Sequence, residues 1–377
     1  MTNEFITDEQ TAIIQKLIRE IVNDPTTYMG SKYIPSVSLP VRKVRNEVIE
    51  ASGGLTNQHV PGTQPLYIQS FGTRVQEFIS PEWKEAIHYD EPKILWLREL
   101  GKTDTTKRGI KQYIDQDSDR LNRRLEARIE KLRWDAIFQG SFTWMGATFS
   151  YGIPNFNLAV PLGAEWSLDG INTNDAANPL RDFRYWTMGG FAQFRKYKIQ
   201  RAIMNPNTAR WFIDNANTRS FISSIGANQV LSDFDLNKVI KFAIPGAPPV
   251  EVYEGWYQTE SNAAGQPTSI GGTSVAGQLT VSNANYFIPD GAIWFETSLP
   301  GGDKIGEFVQ GAHLATGSVE APGFGKFFVI DDNLASGTRG GPANPFMDLI
   351  AGVYGGVNLQ RSFDVLTASV LASYAGN

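Results

Sequence analysis

There is no cysteine in the 377 residues, which excludes disulfide frameworks, thiolate zinc sites and cysteine nucleophiles. Histidine is nearly as scarce. His59, His88 and His313 stand in unrelated segments, without HExxH or any other paired-ligand spacing. Each is expected to be a surface or hydrogen-bonded structural side chain. Long apolar runs are missing as well: stretches such as Phe327–Ile330 fall far short of the roughly 20 residues that carry a helix across a bilayer. The opening MTNEFITDEQ has acids and no basic segment ahead of an apolar one, so no secretory signal is expected there. Neither a GxxxxGK[ST] phosphate loop nor GxGxxG occurs. Cations are in deficit, 34 Lys plus Arg against 39 Asp plus Glu for a net charge of −5. That balance argues against a chain that grips nucleic acid over most of its surface, though it leaves room for a local basic patch. The expectation is a soluble protein made inside the cell, with no metal and no cofactor.

Hydrophobic residues make up 41% of the chain, enough for a sizeable core, and its length suits two or three units of ~150 residues. Thr7 and Gln10 form a capping-box pattern, and Ile13, Ile14, Leu17, Ile18 and Ile21 lay an apolar face along an amphipathic helix. Asp24-Pro25 ends it. From Tyr33 to Arg45 the chain reads as an extended, Pro-broken strap. A short helix on such a strap cannot bury both faces alone, so it is expected to cross a neighbouring domain or reach another subunit.

Residues Glu47 to Trp83 read as a long two-stranded excursion, broken at Gly53-Gly54 and turned at Pro61-Gly62. An isolated hairpin is marginal in water, so this one is expected to lie on a partner or, alternatively, on its own domain. The clearest helix follows. Ile110, Ile114, Ser118, Leu121, Leu125, Ile129, Leu132 and Ala136 form one narrow stripe over ~40 Å of rod. Its other faces are densely charged, and pairs among Arg124, Glu126, Glu130 and Arg133 are expected on its surface. Asp115, Asp117, Asp119 and Glu126 mimic calcium-loop spacing, but Arg120 stands where the loop needs glycine, and on a helix these acids cannot converge.

Beyond Gly140 the pattern is mostly strand and loop. A strand at Arg201–Met204 runs into Asn205 as N-cap and Pro206 as first helical residue, with Ala209, Phe212 and Ala216 continuing that helix. Val250–Tyr257 and Tyr286–Phe295 suggest a strand pair around a polar loop at 261–285. No Lys or Arg occurs between Lys241 and Lys304. The fragment Gly272–Ala276 is a poor nucleophile elbow, and no carboxylate pair is singled out. Nine Trp could line a carbohydrate cleft or serve as core and interface anchors.

The order of parts is helical arm, extended strap, long hairpin, charged spine helix, β-rich domain with a polar insertion, and strand-like return. Within it stand Gly53-Gly54, the spine ending in Phe138–Thr143, the strand–Asn–Pro–helix step at Arg201–Phe212, and Tyr253–Tyr257 with Phe287–Gly291. In this order the chain resembles the major capsid proteins of tailed bacteriophages, most of all the lambda-type family E. The resemblance implies an α+β subunit of the HK97-like fold: arm 1–45, E-loop 46–100, P-domain 101–186, A-domain 187–335 and P-domain return 336–377. It implies a structural role, not an enzymatic one, in which pentamers and hexamers close an icosahedral shell around double-stranded DNA. Ile14, Leu17, Ile18, Leu66, Ile68, Phe71, Val75 and Phe78 would make contacts between subunits, and Arg120, Arg123, Arg124 and Arg128 would face the DNA. Implied partners are other copies, a separate scaffolding protein, a portal at one vertex, an external cementing protein and weakly held DNA. The site would be the virion, assembled in the host cytoplasm. Reinforcement would be non-covalent or by Lys–Asn isopeptide bonds. The alternatives are an encapsulin-like nanocompartment, a tail-tube protein, or a β-rich carbohydrate-active enzyme or binding module.

Overall fold

The computed structural model describes residues 28–40, 43–49, 73–89, 104–144, 147–151, 158–160, 163–166, 177–188, 198–224, 236–261, 280–297, 304–313, 323–332, 347–361 and 365–371. The expected N-terminal helix with Ile14, Leu17 and Ile18 lies outside these residues, as does the hairpin tip with Leu66, Ile68 and Phe71. In chain order the first elements are α1 (Gly30–Tyr33), β1 (Ser36–Ser38), β2 (Lys43–Ile49), β3 (Thr73–Ile79), β4 (Glu82–Tyr89) and α2 (Asp104–Phe138). Then come β5 (Ser141–Trp144), β6 (Ala147–Ser150), β7 (Leu158–Ala159), α3 (Pro179–Met188), β8 (Ile199–Met204), α4 (Pro206–Asp214), α5 (Ala216–Ser224) and α6 (Leu236–Ala243). The rest is β9 (Val250–Val252), β10 (Trp256–Ser261), β11 (Thr280–Tyr286), β12 (Ala292–Thr297), β13 (Glu307–Gln310), β14 (Ala312–His313), β15 (Gly323–Phe324), β16 (Lys326–Asp332), β17 (Met347–Asn358) and β18 (Leu366–Ser369). The mixture is α+β.

The spine helix α2 packs on one face of a first sheet, β1-β13-β17-β16, in which β4 also pairs with β17. From Ile114 on, its apolar stripe is buried at every expected position, because steps of three and four keep those side chains on the sheet side. In its last turns the buried sector widens to take in Glu130, Arg133, Trp134, Ile137 and Phe138. Glu130 and Arg133 are therefore not part of a solvated charged face. There the helix also meets the second sheet, wedging Trp134 against Trp294, ring centroids 5.8 Å apart. That second sheet runs β7-β18-β12-β8-β9. Its far face carries α3, α4 and α6 over Phe183, Trp186, Phe212, Ile240 and Phe295.

Several local expectations shift. Tyr33 closes the single helical turn α1, and the strap is extended only from Ser36, where β1 lies parallel on β13 of the same chain. This part of the strap is paired on its own subunit, with Val37 half-buried between exposed Ser36 and Ser38. The strand–Asn–Pro–helix step is present, with the Asn205 side chain accepting from the Thr208 amide at 2.8 Å. The helix does not run on to Ala216, however. Asn215 is extended and buried, its side chain accepts from the Asn217 amide at 3.0 Å, and α5 starts afresh. Two further helices, α3 and α6, stand where strand and loop were expected. Val250–Val252 and Ala292–Thr297 do not pair with each other but flank β8 from either side. The expected pairing survives in β10 and β11, joined antiparallel from Trp256↔Tyr286 outward. β4, within 46–100, belongs to the first sheet, and β18, within 336–377, to the second.

Gly30 approaches the spine so closely that a Cβ there would lie 2.7 Å from a Glu130 carboxylate oxygen. Gly30→Ala is expected to cost about 1–3 kcal/mol by overpacking, read as a lower urea midpoint of the unassembled protein with earlier proteolysis at the strap. An unchanged midpoint would show that the strap is not clamped there.

Candidate assembly interface

Two buried carboxylates decide which parts of the chain are fixed. Glu130 has no exposed surface, and its Oε1 accepts from the Gly30 amide at 2.7 Å, Trp134 Nε1 at 2.8 Å and the Tyr253 hydroxyl at 3.1 Å. Its Oε2 faces Arg133 at 3.3 Å, and Arg133 reaches Ser36 Oγ at 2.9 Å. A buried charge is tolerated when it is paired and surrounded by donors in this way. Burial lowers the Arg133 guanidinium from its ordinary range, an effect that Glu130 opposes. Burial, then the Glu130 charge, pushes the Tyr253 phenol well up. The second carboxylate, Glu296 on β12, takes the Tyr33 hydroxyl at 3.0 Å and ion pairs from Arg201 at 2.5 Å and Lys32 at 3.6 Å. Strap, spine and second sheet thus meet at charged groups whose partners come from all three.

The ribbon β2–β3 is the opposite case. Seven registered pairs, from Lys43↔Ile79 to Ile49↔Thr73, join its strands, and among the described residues its extensive contacts are between those two strands. Ile79 is 61% exposed, and Lys43 pairs with Glu77 along the ribbon. Of the residues expected between subunits, Val75 and Phe78 lie on β3 opposite Glu47 and Val44. Ile14, Leu17, Ile18, Leu66, Ile68 and Phe71 lie outside the described residues.

The four spine arginines differ in what they touch. Arg124 forks onto Glu85 of β4, Nε–Oε2 2.5 Å and Nη2–Oε1 3.1 Å, and so ties helix to sheet. The exposed Arg123 pairs with Asp119 at 2.6 Å. Arg128 lies 5.3 Å over the Trp83 ring, a cation–π contact that leaves it exposed, and Arg120 is exposed too. The calcium-like acids diverge as the helix requires: Asp117 accepts from Tyr89 at 2.5 Å, Asp119 takes Arg123, and Glu126 faces Lys326. Among the described residues no group of acids or histidines could hold a metal, and no helix is long and apolar enough to cross a membrane. Trp134, Trp166, Trp186 and Trp294 are buried in the two cores, which removes them from any saccharide cleft.

His88 lies at 2.6 Å from Asp348 across the β4–β17 pair. His313 departs from the expectation of a surface or hydrogen-bonded histidine. It is buried, neither ring nitrogen has a hydrogen-bond partner among the described residues, and it packs on Phe327 and Tyr354. Nothing in the local sequence signals this, because strands β16 and β17 bring those rings to it.

A family model described as phage major capsid protein E matches residues 8–277. No curated protein matches. Among solved structures, the chain is similar to the putative capsid protein of a prophage of E. coli CFT073, at 10% identity and a TM-score of 0.49, over 97% of this chain and 99% of that one. It is also similar to the virus-like particle of Pyrococcus furiosus, at 10% identity and 0.43, over 96% and 100%. A third is the capsid of Myoviridae phage XM1, at 12% identity and 0.39, over 91% and 90%.

Burial holds the His313 imidazole below its ordinary value of 6.5. The unfolded chain therefore takes up this proton first as pH falls. The stability it withholds is lost downward from about pH 6.5 and is constant above. His313→Leu should make the drop in urea midpoint between pH 7.5 and pH 5.5 smaller than in the wild type. An identical drop in both proteins would contradict the burial of a neutral imidazole.

Proposed function

Because the chain belongs to the phage major capsid protein E family, we propose that it builds an HK97-type shell in which neighbouring copies cover each subunit's ribbon and N-terminal arm. The family is structural: this is a major capsid protein whose work is self-association, and it is not an enzyme. The observation that carries the finer reading is the β2–β3 ribbon, seven pairs long and in extensive contact only with itself among the described residues. A lone two-stranded ribbon is marginal in water. Laid on another copy, it would add its area to interfaces of the obligate class, ~2,000 Å² or more.

In this reading residues 1–45 are the arm, 46–100 the E-loop, 101–186 and 336–377 the P-domain, and 187–335 the A-domain. Ile14, Leu17, Ile18, Leu66, Ile68, Phe71, Val75 and Phe78 supply the apolar contacts. Because arm and ribbon touch surfaces unlike themselves, the contacts are heterologous and close by rotation into pentamers and hexamers of an icosahedral shell. Arg120, Arg123 and Arg128 face the packaged double-stranded DNA and touch it weakly. Arg124 suits that role least, its guanidinium being engaged by Glu85. A separate scaffolding protein, a portal at one vertex and an external cementing protein complete the particle, which is assembled in the host cytoplasm. An acidic subunit fits a container whose DNA must leave again.

Deleting residues 1–27, which spares the Gly30 clamp, or replacing Leu66 and Ile68 with Asp is expected to yield folded, soluble protein that forms no particles. Electron microscopy and light scattering read the result. Normal shells from both variants would sink the assigned roles of arm and ribbon.

A further inference from the structure

Five of the seven large apolar side chains exposed among the described residues, namely Tyr185, Met188, Phe242, Val252 and Trp256, gather in two places away from the ribbon. The first is on the helical layer of the second sheet. Tyr185 and Met188 stand one turn apart on α3, and Met188 Cε lies over Gly246 in the turn after α6. Phe242, on the last turn of α6, meets Phe221 of α5 at 6.4 Å between ring centroids. Arg184 precedes Tyr185 on α3, and Lys238 and Lys241 share α6 with Phe242. All three cations are exposed, and none has an ion-pair partner among the described residues. The patch is aromatic and cationic.

The second place is the exit of the edge strand β9, which pairs with β8 alone. Exposure alternates there. Val252, Glu254 and Trp256 point outward while Tyr253 is buried in the core beside Glu130. Glu254 has no cationic partner among the described residues. Asp290 is also exposed and, among the described residues, is held by the neutral side chains of Asn205 and Asn207, at 2.5 and 3.1 Å, with no cation there to offset its charge. No Lys or Arg occurs anywhere between Lys241 and Lys304. The patch is apolar and acidic.

We propose that these two patches meet between neighbouring copies, the Tyr185–Met188–Phe242 face of one subunit seated on the Val252–Trp256 edge of the next. The proposal rests on the shell reading and adds to it a contact that neither arm nor ribbon makes. Charge complementarity selects this partner. Among the described residues, three cations without ion-pair partners face carboxylates without cationic ones, whereas either patch placed on itself would oppose like charges. Aromatic, Met and Arg side chains are the residues enriched in interface centres, and the rim charges set orientation and rate of encounter. Two different patches in one contact make it heterologous, as rotation into a ring requires.

A charge swap tests the contact. Lys238→Glu with Lys241→Glu, and Glu254→Lys alone, should each fold with an unchanged melting midpoint yet lower particle yield at low salt by roughly tenfold or more, since like-charge juxtaposition across an interface costs several kcal/mol. The triple variant restores the pairing in reverse and should regain most of the yield. Should a charge variant fail to fold, Trp256→Ser, which removes apolar area and no charge, carries the same expectation of lost particles. Folded single variants that assemble like the wild type, or a triple variant no better than either half, would overturn the contact and leave the shell reading standing. Wild-type protein that never forms particles would overturn the shell reading, and this contact with it.

Discussion

Everything rigid in this subunit depends on two carboxylates taken out of water. Glu130 comes from the spine helix and Glu296 from the second sheet, and the strap supplies partners to both, the Gly30 amide to Glu130 and the Tyr33 hydroxyl and Lys32 to Glu296. Removing one partner from such a buried pair typically costs about 3–5 kcal/mol, because the other charge is stranded. Residues 30–36 are therefore not a loose leader but the pin that holds the spine and the second sheet in one relation. Tyr33 completes it, its ring edge-on to Trp294 at 4.5 Å while its hydroxyl serves Glu296.

That arrangement divides labour along the chain. Within the described body Glu130 and Glu296 find partners on the same subunit, the spine arginine Arg124 is committed to the sheet, and the apolar stripe from Ile114 on is covered. Among the described residues, the large apolar side chains left open lie at Ile79 of the ribbon, at Tyr113 of the spine and at the two patches beside the second sheet. A container needs this division, with firm subunits and separate extensions that find their burial in other copies. The family assignment and the physical reading agree on what kind of molecule this is.

Much of this was legible in the residues. The spine helix was readable because an apolar period of 3.6 over many turns has no competing explanation. The Asn205-Pro206 helix start was readable because capping is local chemistry. The ribbon was legible as an excursion poor in large apolar groups. What could not be read depends on tertiary partners. Glu130 and Arg133 look like any solvated i,i+3 pair until Gly30, a hundred residues away, is brought against them. Helices α3 and α6 are about one amphipathic patch each, too short for period to outweigh the surrounding strand-like composition. Asn215 has the residue type of a cap, but apolar spacing through Ala216 masked the break. His313 is buried by rings from strands that no local pattern connects to it.

Hydrogen exchange on the β2–β3 amides, measured in unassembled subunits and in assembled particles, tests most directly whether this protein completes its fold only in company. The account predicts that amides of 43–49 and 73–79 exchange quickly in the free subunit and become strongly protected in the shell, while the spine amides are protected in both. Ribbon amides protected to the same degree in the isolated subunit would contradict it.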